Sequence, residues 1–165
     1  IETQRGEIEL NVTALVELTH VFLATIERRR GGVIQVASTA AFQPVPYMAV
    51  YAATKAFVLS FSEALWAEYK PRGVRVLALC PGATDTPFFS RAGEAAAFGK
   101  KATPEDVVRV GLAAFDANRP TVIHGTGNFL TAFVNRFASR RMTVSVSERL
   151  MRPRANVPAL TSGVA

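Results

Sequence analysis

Three side chains in this 165-residue sequence, Ser38, Tyr51 and Lys55, have the types and spacing for moving a proton to or from a small polar group. A phenol with an ordinary pKa of ~10 is a poor base at neutral pH. An ammonium group one helical turn away favours the phenolate and lowers that pKa. A serine hydroxyl aimed at the same point can donate to a developing oxyanion. Together the three can take a proton from an alcohol, or give one to a carbonyl, while a hydride moves elsewhere. No side chain carries hydride, so this chemistry calls for a redox cofactor.

The elements around the trio follow from hydrophobic pattern. Val33 to Ala37 is short, apolar and rich in β-branched residues, which predicts a buried strand with Ser38 at its carboxyl end. Beyond Lys55, Val58, Phe61 and Leu65 recur at steps of three and four, the stripe of a core-facing helix that runs to about Lys70 and stops at Pro71-Arg72-Gly73. Tyr51 and Lys55 then share one face near that helix's start. Val74 to Cys80 and Thr121 to His124 predict two more strands. Between them, Thr103-Pro104-Glu105-Asp106 marks a helix start: a capping hydroxyl, proline at the first position and an acid three residues on. Strands alternating with helices predict a parallel α/β sheet, where ligands bind in the crevice beyond the carboxyl ends of the strands.

Tyr51-x-x-x-Lys55 with Ser38 thirteen positions earlier, Asn11 in Glu9-Leu10-Asn11-Val12, and Pro81-Gly82-Ala83-Thr84-Asp85-Thr86 together resemble the active-site signature of the short-chain dehydrogenase/reductase family. The likeness runs from about Glu9 to Gly125. It implies a Rossmann-like, doubly wound sheet in three α/β/α layers and NAD or NADP as cofactor. It also implies an oxidoreductase that interconverts a secondary alcohol and a ketone or aldehyde. By resemblance, Tyr51 is the general acid/base and Ser38 polarises the carbonyl. Lys55 lowers the tyrosine pKa and binds the nicotinamide ribose, and Asn11 helps hold a water in a proton relay with Lys55. Pro81, Gly82, Thr84 and Thr86 flank the carboxamide. The family pairs the helix around Asn11 and the Tyr51 helix across a dimer axis, so a homo-oligomer, dimer or tetramer, is expected.

The family's amino-terminal TGxxxGxG turn and later NNAG stretch do not occur in the sequence. Gly125-Thr126-Gly127 lacks the third glycine, and Gly31-Gly32 precedes a strand instead of following one. The chain also opens on Ile1. The expectation is a carboxyl-terminal part of such a domain, residues 1–126, without its first four strands. The alternative to an enzyme is a non-catalytic, dimerising fragment that cannot hold cofactor on its own.

The single Cys80 excludes an internal disulfide, fits a reducing cytoplasm and reads as a small buried apolar residue. The absence of an unbroken apolar run of ~18 residues argues against a membrane span. His20 and His124 read as structural, with no metal site and no nucleic-acid motif. Glu7 to Arg30 predicts one helix with two apolar stripes, hence burial on two sides. Pro87, Phe88, Phe89 and Phe98 fall in a segment, 84–99, that resembles a substrate lid, which points to a small apolar carbonyl or alcohol substrate. Residues 127–154 read as a basic amphipathic helical tail with Phe129, Phe133 and Phe137 at steps of four. From Gly127 onward six arginines against one glutamate carry +5 of the net +6. Such a tail can lie on an anionic membrane, fold over the cleft or cover a neighbouring subunit. Residues 155–165 read as disordered.

Overall fold

A computed structural model describes residues 1–87 and 101–152. Phe88, Phe89 and Phe98 of the expected lid, and the 155–165 segment, lie outside the described residues. Three parallel strands, β1 (Gly32–Val36), β2 (Arg75–Cys80) and β3 (Thr121–Ile123), pair in the order β1-β2-β3. Helices α1 (Glu2–Arg28) and α2 (Ala49–Tyr69) precede β1 and β2, and α3 (Pro104–Asp116) precedes β3. Two short helices, α4 (Thr126–Asn135) and α5 (Arg140–Met151), follow.

Alternation along β2 builds the layers. Val76, Ala78 and Cys80 point to α2, where they meet Leu65, Val58 and Leu59 with Val74 and Ala37. On the other face Leu79 lies against Gly111 of α3, while the Arg75 guanidinium sits 4.5 Å from the Phe115 ring centre. The expected three-layer α/β/α sheet is thus present, with β1 at one edge. Thr103 caps α3 by accepting from the Asp106 N–H at 3.2 Å, as the sequence predicts. Gly73, at φ 78°, makes the left-handed turn that ends the helical run after Pro71.

The first helix departs from expectation in two ways. It starts at Glu2 rather than Glu7, and it carries a π-helical turn over Glu9–Thr13, where the Ala14 N–H reaches back five residues to the Glu9 carbonyl. By length and composition α1 is apolar enough to cross a membrane, unlike the sequence-based expectation. Its polar side chains instead fasten it to the domain. The Thr19 hydroxyl accepts from Gln35 of β1 at 3.0 Å, and Ser62 of α2 donates to the same glutamine at 3.0 Å. These three buried polar groups are mutually satisfied, so they cross-link two helices and a strand without an orphaned dipole. Burial on both sides of α1 is not seen: Leu10, Leu18, Val21 and Phe22 are 54–72% exposed. An apolar groove of about 420 Å³ opens between that helix and the edge of β1, lined by Leu15, Phe22, Ile26, Val33 and Ile34 among others.

Cys80 is fully buried, and burial pushes its thiol from an ordinary 9.0 up to about 12. A group whose folded pKa is raised contributes stability that is complete below its unfolded pKa and is lost as pH rises through the folded value. The stability of the chain is therefore expected to fall between pH 9 and 12 as the thiol ionises. Cys80→Ala should flatten that decline in urea melts taken across the window. An unchanged slope would remove Cys80 as its cause.

Candidate active site

The carboxyl end of β1 delivers Ser38 to the mouth of the crevice. Pairing continues past the strand: Ala37 N–H donates to the Leu79 carbonyl at 2.8 Å, and Thr39 N–H to Pro81 at 2.9 Å. This ladder sets Ser38 beside the Pro81–Thr86 loop. The Ser38 hydroxyl, nearly buried, accepts from the Ala40 N–H at 3.1 Å and caps the short turn Thr39–Phe42. Its side chain also lies close enough to Tyr51, on the first turn of α2, to favour the phenolate.

Lys55 follows one turn later, its Nζ 5.8 Å from the Tyr51 ring centre and donating to the Val36 carbonyl at 2.9 Å. Asn11, in the π-helical turn of α1, donates to the Thr54 hydroxyl at 3.1 Å, and Thr54 in turn donates to the Tyr51 carbonyl at 2.8 Å. A wide turn of this kind is common at functional sites because it re-aims one residue out of the helical ladder. Ser38, Tyr51, Lys55 and Asn11, spread over 45 residues, thus come together at one sheet end.

The electrostatics differ from the sequence-based expectation in one respect. Tyr51 lies above its ordinary 10.0, first because burial disfavours the phenolate; the Ser38 hydrogen bond works downward and the Glu7 charge upward. Lys55 was expected to bring the phenol down, yet burial holds its own amine below 10.5, and it is turned to the Val36 carbonyl. Burial of the phenol, rather than the amine beside it, thus sets the direction of the Tyr51 shift.

In the Pro81–Thr86 loop, Thr84 Oγ1 donates to the Gly82 carbonyl at 3.1 Å and Thr86 Oγ1 to the Thr84 carbonyl at 3.5 Å. A Cβ on Gly82 would run into the Asn128 side chain, which is held by a 2.8 Å bond to the His124 carbonyl. The loop backbone is therefore packed between the ends of β2 and β3, and Thr86 stays exposed at its far end.

Comparison with known proteins supports the same reading. The sequence profile described as short chain dehydrogenase matches residues 2–97, more than half of the chain. The chain belongs to the short-chain dehydrogenases. Among curated relatives, the mouse (Mus musculus) 17-beta-hydroxysteroid dehydrogenase type 3 is 40% identical over 81 residues, 48% of this chain and 27% of that protein. A Streptomyces virginiae protein assigned to the ketoacyl reductases of monensin polyketide synthase is 34% identical over 148 residues, 87% of this chain and 54% of that one. A solved short-chain dehydrogenase from Burkholderia cenocepacia J2315, in complex with NADP, superposes with a TM-score of 0.74 at 27% identity, covering 90% of this chain and 61% of the other. This short-chain dehydrogenase chain thus spans about half or less of the two curated relatives.

The residues present fit the nicotinamide end of a dinucleotide. A partly buried amine and a phenol lie with a serine whose strand end is bonded to a loop that finishes on the exposed Thr86 hydroxyl. The glycine-rich turn that would cradle phosphates has no counterpart in the sequence.

Two residues escaped the sequence reading. Thr54 fixes Asn11, and its place beside Lys55 was the available signal. Glu7 lies four positions before Asn11 on the same helical face. Its carboxyl is raised by partial burial and pulled down by Lys55, and it raises the pKa of both Tyr51 and Lys55. Glu7→Gln is therefore expected to move the Tyr51 titration to lower pH, read as tyrosinate absorbance against wild type. An unmoved curve would show that the Glu7 charge does not reach the phenol.

Proposed function

We propose that this chain carries the proton-transfer half of an NAD(P)-dependent oxidoreductase that interconverts a secondary alcohol and a ketone or aldehyde. The observation that carries the reading is the convergence of Ser38 and the Lys55 amine on the Tyr51 phenol at the carboxyl end of β1. Tyr51 gives its phenolic proton to the carbonyl oxygen in reduction and recovers one from the alcohol in oxidation. Ser38 donates to the same oxygen as charge develops on it. Lys55 supplies the positive charge that favours the phenolate against the burial that disfavours it, and its ammonium would hold the ribose hydroxyls of the bound nucleotide. Asn11 and Thr54 keep the π-helical turn registered on α2. A bound nicotinamide would supply or accept the hydride. Pro81, Gly82, Thr84 and Thr86 would hold its carboxamide end.

The apolar substrate class rests on the 17-beta-hydroxysteroid and ketoacyl chemistry named for the relatives. The exposed apolar face of α1 supports a homo-oligomer, and the single buried cysteine supports a cytoplasmic setting.

A second reading has an observation of its own. β1 ends the described sheet with an open apolar groove, as a dimerising fragment unable to hold cofactor would have. Titration with NADH and NADPH, followed by nicotinamide fluorescence, separates the two. Saturable binding together with turnover of a hydrophobic ketone supports the enzyme. A folded chain that binds neither nucleotide would place the activity in a longer protein that includes this segment.

A further inference from the structure

The last two helices are built inside out. On α4 the residues turned to the domain are Asn128, Ala132 and Asn135; Asn128 bonds the His124 carbonyl, and Asn135 donates to Gln43. The outward face carries Phe129, Leu130, Phe133 and Val134, with Phe137 just beyond the helix end, each 47–78% exposed. At about 100° per residue these five sweep an arc of roughly 140°. The three rings form a row, Phe129 and Phe133 stacked at 6.3 Å and Phe133 and Phe137 edge-on at 5.2 Å. On α5 the pattern repeats: Thr143 and Ser147 are buried while Met142, Val146 and Leu150 are 51–63% exposed. A helix on the surface of a water-soluble domain has the opposite arrangement.

Charge selects what covers this face. Arg136, Arg140, Arg141 and Arg149, at the end of α4 and along α5, are exposed, and residues 127–152 hold five arginines against one glutamate. That glutamate, Glu148, is paired with Arg152 at 2.5 Å. A second copy would bring two arginine-rich faces together, with no acidic side chains left to pair them. An anionic bilayer supplies both an apolar phase and the negative charge. We propose that α4 and α5 seat the chain on an anionic lipid surface, with the phenylalanine row at the acyl boundary and the arginines among the head groups. This assignment stands apart from the oxidoreductase reading, because none of its residues belongs to the candidate active site.

Vesicle flotation tests it, since aggregated protein stays at the bottom of the gradient. The 165-residue chain would be mixed with vesicles of phosphatidylcholine alone, or of phosphatidylcholine with about a third phosphatidylserine. Flotation is expected with the anionic vesicles, falling as salt is raised. Arg140→Ala/Arg141→Ala should weaken binding to them by about 25-fold, roughly fivefold per arginine. Phe133→Asp, at a half-exposed position that packs on Phe129 and Phe137 of the same row, should remove flotation on both vesicle types at unchanged circular dichroism. Failure of the wild-type chain to float with anionic vesicles would overturn the proposal, as would full flotation of Phe133→Asp. A solution dimer that Phe133→Asp dissolves, in a chain that does not float, would overturn it in favour of a second copy.

Discussion

Replacing Tyr51 by phenylalanine is expected to lower kcat by roughly 10²- to 10⁴-fold while nicotinamide affinity and the fold stay close to wild type. The ring remains to pack at the start of α2, and only the hydroxyl close to Ser38 is lost. Ser38 keeps its bond from the Ala40 N–H, so the turn after β1 keeps its cap. What disappears is the sole group among Ser38, Tyr51 and Lys55 that can both hold and release the proton within reach of the substrate oxygen. The pH dependence gives a second readout. In oxidation the phenolate is the base, so kcat/KM rises with pH through the Tyr51 titration; in reduction the phenol is the acid, and the rate falls through the same limb. Because burial raises that pKa above 10.0, both limbs lie on the alkaline side in the nucleotide-free protein. Retention of more than about a tenth of wild-type kcat by Tyr51→Phe would remove Tyr51 from the proton-transfer role.

The site was legible in the sequence as residue types and order, and less so as electrostatics. Ser38, Tyr51 and Lys55 could be placed because strand and helix periods are local: a serine after a short apolar run and a tyrosine–lysine pair at one helical turn must lie where the sheet ends. Asn11 could be named by resemblance, but nothing in Glu9–Thr13 announces a π-helical turn or the Thr54 contact across 43 residues. The direction of the Tyr51 shift was read from its nearest cation alone. Burial decides it instead, and burial is set by three elements converging rather than by the spacing of two residues.

The fold divides along the same line. Strand alternation and the Thr103 cap are properties of a few adjacent residues, and the structure has them where the sequence puts them. The faces of α1 and α4 are not local. A wide apolar stripe on α1 reads as two buried sides, yet only Thr19 is buried, because no further strand lies beyond β1 among the described residues. On α4 the step-of-four phenylalanines signal an amphipathic helix without saying which face turns inward. The bonds of Asn128 and Asn135 to other segments settle that.

Gly32→Ala is expected to destabilise the chain by about 2–4 kcal/mol, and Gly31→Ala, its immediate neighbour, by less than ~0.5 kcal/mol. A Cβ on Gly32 would strike the backbone carbonyl oxygen of Arg75, its partner across the β1–β2 ladder, and would come within 2.6 Å of the Phe115 ring. The carbonyl cannot swing aside without breaking strand pairing. The ring also carries the Arg75 guanidinium 4.5 Å from its centre, which bonds Asp116 at 3.5 Å. Space on Gly31 is ordinary: its nearest neighbours are the Ile26 carbonyl and side chain at 3.6 and 3.7 Å. The pair isolates the packing of α3 on the sheet from any general preference for glycine after the Arg28-Arg29-Arg30 helix end. Against a typical total of about 5–15 kcal/mol, the larger figure would consume much of the stability. The two variants are compared by urea melts and by the thermal midpoint. If both lose the same amount, the close approach of β2 and Phe115 to Gly32 is not what requires glycine there.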